Sequence, residues 1–389
     1  MTETALRLGV VGCGNVTVER HIPAVNRLEG ARVVAVADTV DTRLVAARQI
    51  AGLPESQTFS SFSAMADACD LDYVLIAVPP SVRRVIVEDA FERGLDVLTE
   101  KPLATRPSEA AHMIERARNL GRKFGIVHNY LFFPEYRLVR ELIDQGEVGE
   151  LRHIATNFLG VPDAPGNDEF RPRWRHDVEE AGGGVLMDMI HVFYLAEYLM
   201  GGQISGVSAV VDNLGLPDEQ VEDFVLAHLY FPEGYASVNL SWSQGPGGLE
   251  VTGSRGRILV FYEDFTTGPF STFDELTLVN ESGKKIYRPR GGQEVIDDTF
   301  DALHQDFLEA VRDNRDPVAT GEDGARSLQA ALATYSSGML GRRVPLPLGV
   351  DDPIFQEGVI GLRRISPQEF DPLRSKSLFG MQPVGDSPS

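Results

Sequence analysis

Cysteine is almost absent from this chain: Cys13 and Cys69 are the only two among 389 residues. One falls inside a glycine turn and the other on an expected helix, so they offer neither a disulfide framework nor metal-ligand spacing. No metal site is expected, and a reducing cytoplasm fits best. Basic residues are scarce as well, 36 against 57 acidic ones, which leaves a net charge of −21. That balance excludes the positive footprint of a nucleic-acid binder and makes any anionic cofactor depend on local donors. No apolar run approaches the roughly 20 residues of a membrane span. The first expected strand starts so close to Met1 that no room for a signal peptide is expected either. What is present is 43% hydrophobic and 24% charged, an ordinary globular composition with length enough for two cores.

From Leu6 to His128 apolar runs at Leu6, Val33, Tyr73, Asp96 and Phe124 alternate with helical patterns such as Asp41 to Ala51 and Ser108 to Leu120. This alternation predicts an α/β fold with a doubly wound parallel sheet over residues 1–128. After a helix at Glu135 to Ile143 the texture changes to successive strands: Leu151 to Leu159, Ile204 to Val211, Phe224 to Tyr230, Tyr235 to Trp242, Arg257 to Tyr262 and Glu275 to Val279. Their alternation predicts a second α/β domain, 129–347, with an open, largely antiparallel sheet covered on one face. Helices resume at Thr299 to Asp313 and Gly324 to Leu340. Residues 348–389 are rich in proline and serine and read as an arm or partly disordered tail.

Gly12-Cys13-Gly14 follows the first strand, and Asn15 and Val16 open a helix. Two glycines permit a tight turn and close backbone approach, and the helix start favours phosphate, so this is a nucleotide-binding pattern. Asp38 ends the second strand, Arg32 to Ala37, where an acid can grip a ribose 2′-hydroxyl. A carboxylate there favours NAD, while Arg43 nearby leaves NADP open. Val78-Pro79-Pro80 ends another strand; two prolines cannot continue a ladder, so the backbone turns out at the edge where ligands bind. Glu100-Lys101-Pro102 closes a further strand and sets a lysine beside the expected nicotinamide.

Gly182-Gly183-Gly184 precedes Val185 to Met200, apolar on nearly every side except at Asp188, His191, Tyr194 and Glu197. Such a segment predicts one buried helix on which, at about 100° per residue, Asp188 and His191 share a face. Ionisable groups in such a place need a partner or a purpose. Proton transfer supplies one: His191 accepts the proton of a secondary alcohol, Asp188 orients the ring or substrate, and Lys101 stabilises the developing alkoxide. The three glycines are expected to let a ligand approach and to leave N–H groups free. Arg171, Arg173, Arg175 and His176 form a basic cluster suited to a carboxylate or phosphate. His21 and His153 show no partner in the sequence and are read as structural.

Together these motifs resemble the Gfo/Idh/MocA oxidoreductases, over about Leu6 to Pro347. The resemblance adds Trp174-Arg175 and Gly321-Glu322-Asp323-Gly324 to the motifs above. It implies a nicotinamide-dependent enzyme acting on a sugar, cyclitol or sugar acid in a cleft between the domains, and a homo-oligomer, dimer or tetramer, built on the open sheet. Carried over, Lys101, Asp188 and His191 are the catalytic set. Asn129 lines the nicotinamide pocket, and Tyr130 and Arg175 face the substrate. The sequence departs from the family at Thr17, which stands at the usual third glycine and suggests looser helix packing, and in the spacing of Asp188 and His191, three residues rather than four. Two other classes fit the same motifs. One is an enzyme that retains its NAD and oxidises a sugar or glycoside transiently, and the other is a sugar- or nucleotide-sensing regulator without catalysis.

Overall fold

Val10 and Val11 of β1 (Leu6–Val11) are buried because the strand sits in the middle of a sheet with helices on both faces. The computed structural model describes residues 5–161, 173–216, 219–262, 275–288, 292–370 and 378–380. Around β1 run β2 (Ala31–Ala37), β3 (Thr58–Phe59), β4 (Tyr73–Ile76), β5 (Asp96–Thr99) and β6 (Phe124–Ile126). All pair in parallel in the order β3-β2-β1-β4-β5-β6. This is a doubly wound sheet whose strand order reverses between β1 and β4, the point where such folds open a crevice for ligands. The crossovers carry helices α1 (Ile22–Arg27), α2 (Asp41–Ala51), α3 (Phe62–Ala68), α4 (Pro80–Glu92) and α5 (Pro107–Leu120). Pro80 and Pro107 stand at the first turns of α4 and α5, where a missing N–H costs nothing.

The second layer starts with α6 (Pro134–Asp144), followed by β7 (Leu151–Gly160), α7 (Val178–Ala181), α8 (Val185–Asp188) and α9 (His191–Met200). Strands β8 (Gly206–Asp212), β9 (Phe224–Tyr230), β10 (Tyr235–Gly253), β11 (Gly256–Tyr262), β12 (Glu275–Asn280) and β13 (Gly283–Tyr287) then form an antiparallel sheet. Its order is β13-β12-β11-β10-β9-β8-β14, with β14 at Val344–Pro345 and β7 paired to β10. Buried Val225, Ala227 and Leu229 alternate along β9 with Leu226 and His228, which face water, as a sheet covered on one side requires. Helix α10 (Gly292–Arg312) returns to the first domain, and α11 (Gly321–Leu340) lies across β8. The uncovered face carries Val210, Leu226, Tyr235 and Phe261, all exposed and on one side through the pairing register.

Two expectations change. The single helix expected from Val185 to Met200 is broken: α8 ends at Asp188, Met189 and Ile190 make a turn, and α9 starts at His191. Hydrophobic patterning could not register this break, since residues of both pieces are buried on every side. The C-terminal stretch read as an arm or tail is, over much of its described length, helical and packed. Helix α12 (Pro353–Glu357) and a 3₁₀ segment, Gly358–Arg364, bury Ile354, Val359 and Leu362 against the body, and Ser108 Oγ donates to Gln356 O at 3.1 Å. Leu362 has no exposed surface. Leu362→Ala is therefore expected to lower the unfolding free energy by about 2–5 kcal/mol in urea denaturation; a loose tail would give no change.

Candidate active site

Gly12 ends β1 with φ +91°, and a Cβ there would stand 2.5 Å from Ala77 O, so only glycine lets the first and fourth strand ends come this close. Gly14 has no atom within 4 Å of where a Cβ would lie, and helical backbone starts at Asn15. The turn thus presents open space before a helix start. Asp38 is held at the mouth of this turn, its carboxylate accepting from Cys13 N at 2.7 Å and Val40 N at 2.9 Å. Thr17 corrects an expectation: it is fully buried, and its hydroxyl donates to Gly12 O at 2.7 Å. It ties the helix to the turn instead of loosening the packing.

A cavity of about 950 Å³ extends from this turn between the domains. It is lined at one end by Gly12, Gly14, Asn15, Val16, Asp38 and Arg43. Val78, Pro79, Glu100 and Asn129 also line it, and Lys101, Tyr130, Arg175, Asp188 and His191 complete it. The residues expected to bind cofactor, to face substrate or to act in catalysis therefore border one space, with Arg175 as the member of the basic cluster that lines it. Arg171 lies outside the described residues. His176 turns to Glu219 (3.3 Å) and stacks on Trp242.

Lys101 is positioned by Arg83, which sequence reasoning did not pick out, and by Glu100 and His21, whose contacts it did not foresee. Arg83 is fully buried, and its guanidinium donates to the carbonyls of Val78 at 2.6 Å, Glu100 at 2.5 Å and Pro102, pinning both loops together. Burial brings Arg83 down to about 10, still a cation near neutrality. Glu100 accepts from Lys101 N at 2.8 Å and meets His21 Nε2 at 3.1 Å, and His21 Nδ1 lies 2.9 Å from His304 Nε2. Burial pushes the Glu100 carboxyl up, but His21 and Lys101 together hold it below its ordinary value. His21 is structural, as read, and its partners come from far along the chain.

Lys101 Nζ donates to Asp188 O at 2.6 Å and lies 3.4 Å from Asp188 Oδ1, to which Arg175 also donates. Burial lowers the lysine from its usual range, offset in part by Asp188. Burial raises Asp188, but Arg175 and Lys101 outweigh it, so the carboxylate is ionised. Asp188 therefore orients the lysine and arginine. It does not orient the His191 ring, which was one of the two roles expected of it, the other being to orient the substrate. The histidine ring is held by Tyr194, whose hydroxyl lies 2.5 Å from Nδ1, and by Tyr130, stacked at 4.3 Å. Burial first, and then Lys101, His128 and Arg175, keep His191 well below its ordinary value, hence neutral.

The triple glycine has a second cause beside the one expected: Gly183 and Gly184 border the cavity, but protein also crowds them. A Cβ at Gly183 would fall 2.0 Å from Tyr335 Oη, and one at Gly184 2.1 Å from Glu222 O. The N–H groups of Gly184 and Leu186 are taken by the Glu222 carboxylate at 2.8 and 2.9 Å, with Tyr335 Oη donating to the same group at 2.8 Å. Those glycines admit protein, and the N–H groups at Gly184 and Leu186 are not free for a ligand. Tyr194 was detectable as the i+3 neighbour of His191. Glu222, Tyr335 and Arg83 carried no signal, since their partners are remote in sequence.

A sequence model described as "Oxidoreductase family, NAD-binding Rossmann fold" matches residues 6–128, and the GFO/IDH/MocA C-terminal domain matches residues 136–259. The chain belongs to the Gfo/Idh/MocA oxidoreductase family. Its first domain is accordingly an NAD-binding Rossmann fold, and NAD(H) is its cofactor. Among curated proteins it is 28% identical to dTDP-3,4-didehydro-2,6-dideoxy-alpha-D-glucose 3-reductase of Saccharopolyspora spinosa, over 87% of this chain and 98% of that one. It is 27% identical to 1,5-anhydro-D-fructose reductase of Ensifer adhaerens, over 88% of this chain and 99% of that one. A solved aldose-aldose oxidoreductase from Caulobacter crescentus, complexed with glycerol, shares the fold with a TM-score of 0.77 at 24% identity, over 88% of this chain and all of that one. No helix among the described residues is long and apolar enough to cross a membrane, and those residues hold no cluster of metal-ligating side chains.

One buried carboxyl below the site makes a pH test. Glu135 is 1% exposed, its Oε1 accepts weakly from Tyr262 Oη at 3.4 Å, and burial pushes it up to about 7. A carboxyl raised in the fold binds its proton more tightly there than when unfolded. Its stabilising effect is complete below the ordinary glutamate range and is lost as pH rises through about 7. Wild type should therefore lose stability relative to Glu135→Gln as pH rises from about 5 to about 7, by at most about 1.4 kcal/mol per pH unit in paired urea titrations.

Proposed function

We propose that this oxidoreductase moves a hydride between NAD(H) and a secondary hydroxyl of a sugar, cyclitol or sugar acid, with Lys101, Asp188 and His191 as catalytic residues. The observation that carries this reading is their convergence on one cavity with the glycine turn: a cation, a carboxylate and a neutral histidine border the space that also reaches the cofactor end. The sugar and anhydrosugar names of the two reductases support the substrate class.

Bound NAD would take the hydride from the carbinol carbon, and the glycine turn, Asn15 and Asp38 would hold it. His191 accepts the hydroxyl proton at Nε2, the nitrogen not engaged by Tyr194, and the buried Lys101 ammonium stabilises the alkoxide as charge develops. Asp188 keeps Lys101 charged despite burial and steadies Arg175, whose guanidinium borders the cavity for a substrate hydroxyl or carboxylate. Tyr130, stacked on His191, forms the adjoining wall. The uncovered sheet face with Leu226, Tyr235 and Phe261 supports a homo-oligomer, and the scarcity of cysteine supports a cytoplasmic setting.

The test follows nucleotide absorbance with excess NAD and pooled cyclitols, aldoses, uronates and glycosides. Sustained formation of NADH is expected, with Lys101→Ala and His191→Asn each lowering kcat by about a hundredfold or more while NADH still binds. Full turnover by both variants would overturn the assignment. A burst stopping near one nucleotide per subunit would instead identify a retained, internally recycled cofactor.

A further inference from the structure

We propose that Tyr194 is a positioning residue that keeps the proton of neutral His191 on Nδ1, and so leaves Nε2 as the base facing the cavity. The catalytic consequence rests on the dehydrogenase reading above, whereas the hydrogen-bond assignment stands on geometry. Tyr194 lies three residues beyond His191 on α9, and both are buried. Its phenol oxygen has three polar neighbours: His191 Nδ1 at 2.5 Å, Tyr130 N at 3.2 Å and Asn129 Oδ1 at 3.5 Å. The Tyr130 N–H donates to that oxygen, and Asn129 Oδ1 accepts from it.

A phenol has a single proton to give. If that proton goes to Asn129, the shortest contact must be supplied by His191 from Nδ1, and each of the three contacts then contains one proton. If it went to Nδ1, Asn129 Oδ1 would face a phenol lone pair across a buried contact, and an unmet buried acceptor costs about 1–3 kcal/mol. The rings are also held in place. His191 lies on Tyr130 at 4.3 Å and 10°, and Tyr194 lies on His128 at 3.7 Å and 14°. A half-turn of the imidazole would keep the stack on Tyr130 but set a ring carbon in place of Nδ1 against the Tyr194 hydroxyl, losing the shortest contact.

During alcohol oxidation the O–H bond breaks and its proton passes to Nε2. Bound NAD would supply the acceptor for the hydride, which carries its electron pair away from the carbinol carbon as the C=O bond forms. The new imidazolium keeps Nδ1–H on Tyr194, and the phenol keeps its own proton on Asn129, so no proton leaves the tyrosine. Lys101, Arg175 and His128 all disfavour that positive charge. Asp188 lies between the two cations and partly offsets them, and Tyr130 is neutral. Tyr194 is the neighbour that stabilises the imidazolium by accepting its hydrogen bond.

Enzyme labelled with ¹⁵N-histidine, with the His191 signals assigned by their loss in His191→Asn, should show Nδ1 protonated and Nε2 bare near neutral pH. In Tyr194→Phe, which retains the ring stacked on His128, the Nδ1 preference should vanish and oxidative kcat should fall about tenfold or more. The acidic limb of kcat/KM should move to lower pH because the imidazolium has lost its acceptor, with NADH affinity unchanged. Nε2 protonated in the wild type would overturn the proposal, as would a limb that stays or moves up in Tyr194→Phe. The nitrogen spectrum needs no substrate. Nδ1 protonated alongside full turnover by His191→Asn would therefore defeat the role of His191 and leave the hydrogen-bond assignment standing.

Discussion

The contact between Lys101 and Asp188 is the interaction on which the site depends, because it joins a loop of the parallel sheet to the short helix that opens beside the second sheet. Both groups are largely removed from water, and a buried charge is tolerable only with a partner. Arg175 supplies a second cation to the same carboxylate. The cluster of two cations and one anion leaves a local positive charge in a protein of net charge −21. That local field is where developing negative charge on a substrate oxygen gains most, since the low-dielectric surroundings strengthen it.

Holding that cluster requires two loops to stay where they are. Arg83 does this through its two terminal nitrogens, which donate to carbonyls just past the ends of two strands, and Glu100 does it through His21 and His304. On the other side, Glu222 and Tyr335 fill the N-terminus of α8 and leave room only for glycine at 183 and 184. The glycines, the buried arginine and the capping glutamate thus serve one end, the placement of Asp188 opposite Lys101. A histidine beside two cations stays neutral, as the proposed base must, and its orientation comes from tyrosines because the nearby carboxylate is already engaged.

Much of this was legible from residue order. Strand alternation, Gly12-Cys13-Gly14, Asp38 and Glu100-Lys101-Pro102 set out the Rossmann domain and its ligand edge, because each signal is local: a period, a turn, a helix start. The change to amphipathic strands announced the second sheet for the same reason. Less legible were the break at Met189 and Ile190 and the packing of Leu362, since burial on every side erases periodicity and a short segment docks only when its surface exists.

The sequence by itself determined the two-domain α/β architecture, the nucleotide turn and the candidates for reactive side chains, because backbone propensity and side-chain chemistry are properties of neighbouring residues. Only the tertiary structure decided who pairs with whom. Asp188 meets Lys101 across 87 positions, Glu222 reaches Gly184 across 38, and His21 reaches His304 across 283. Those distances along the chain close only when both cores are formed. The division of labour between a carboxylate that holds cations and a tyrosine that holds the histidine was settled there.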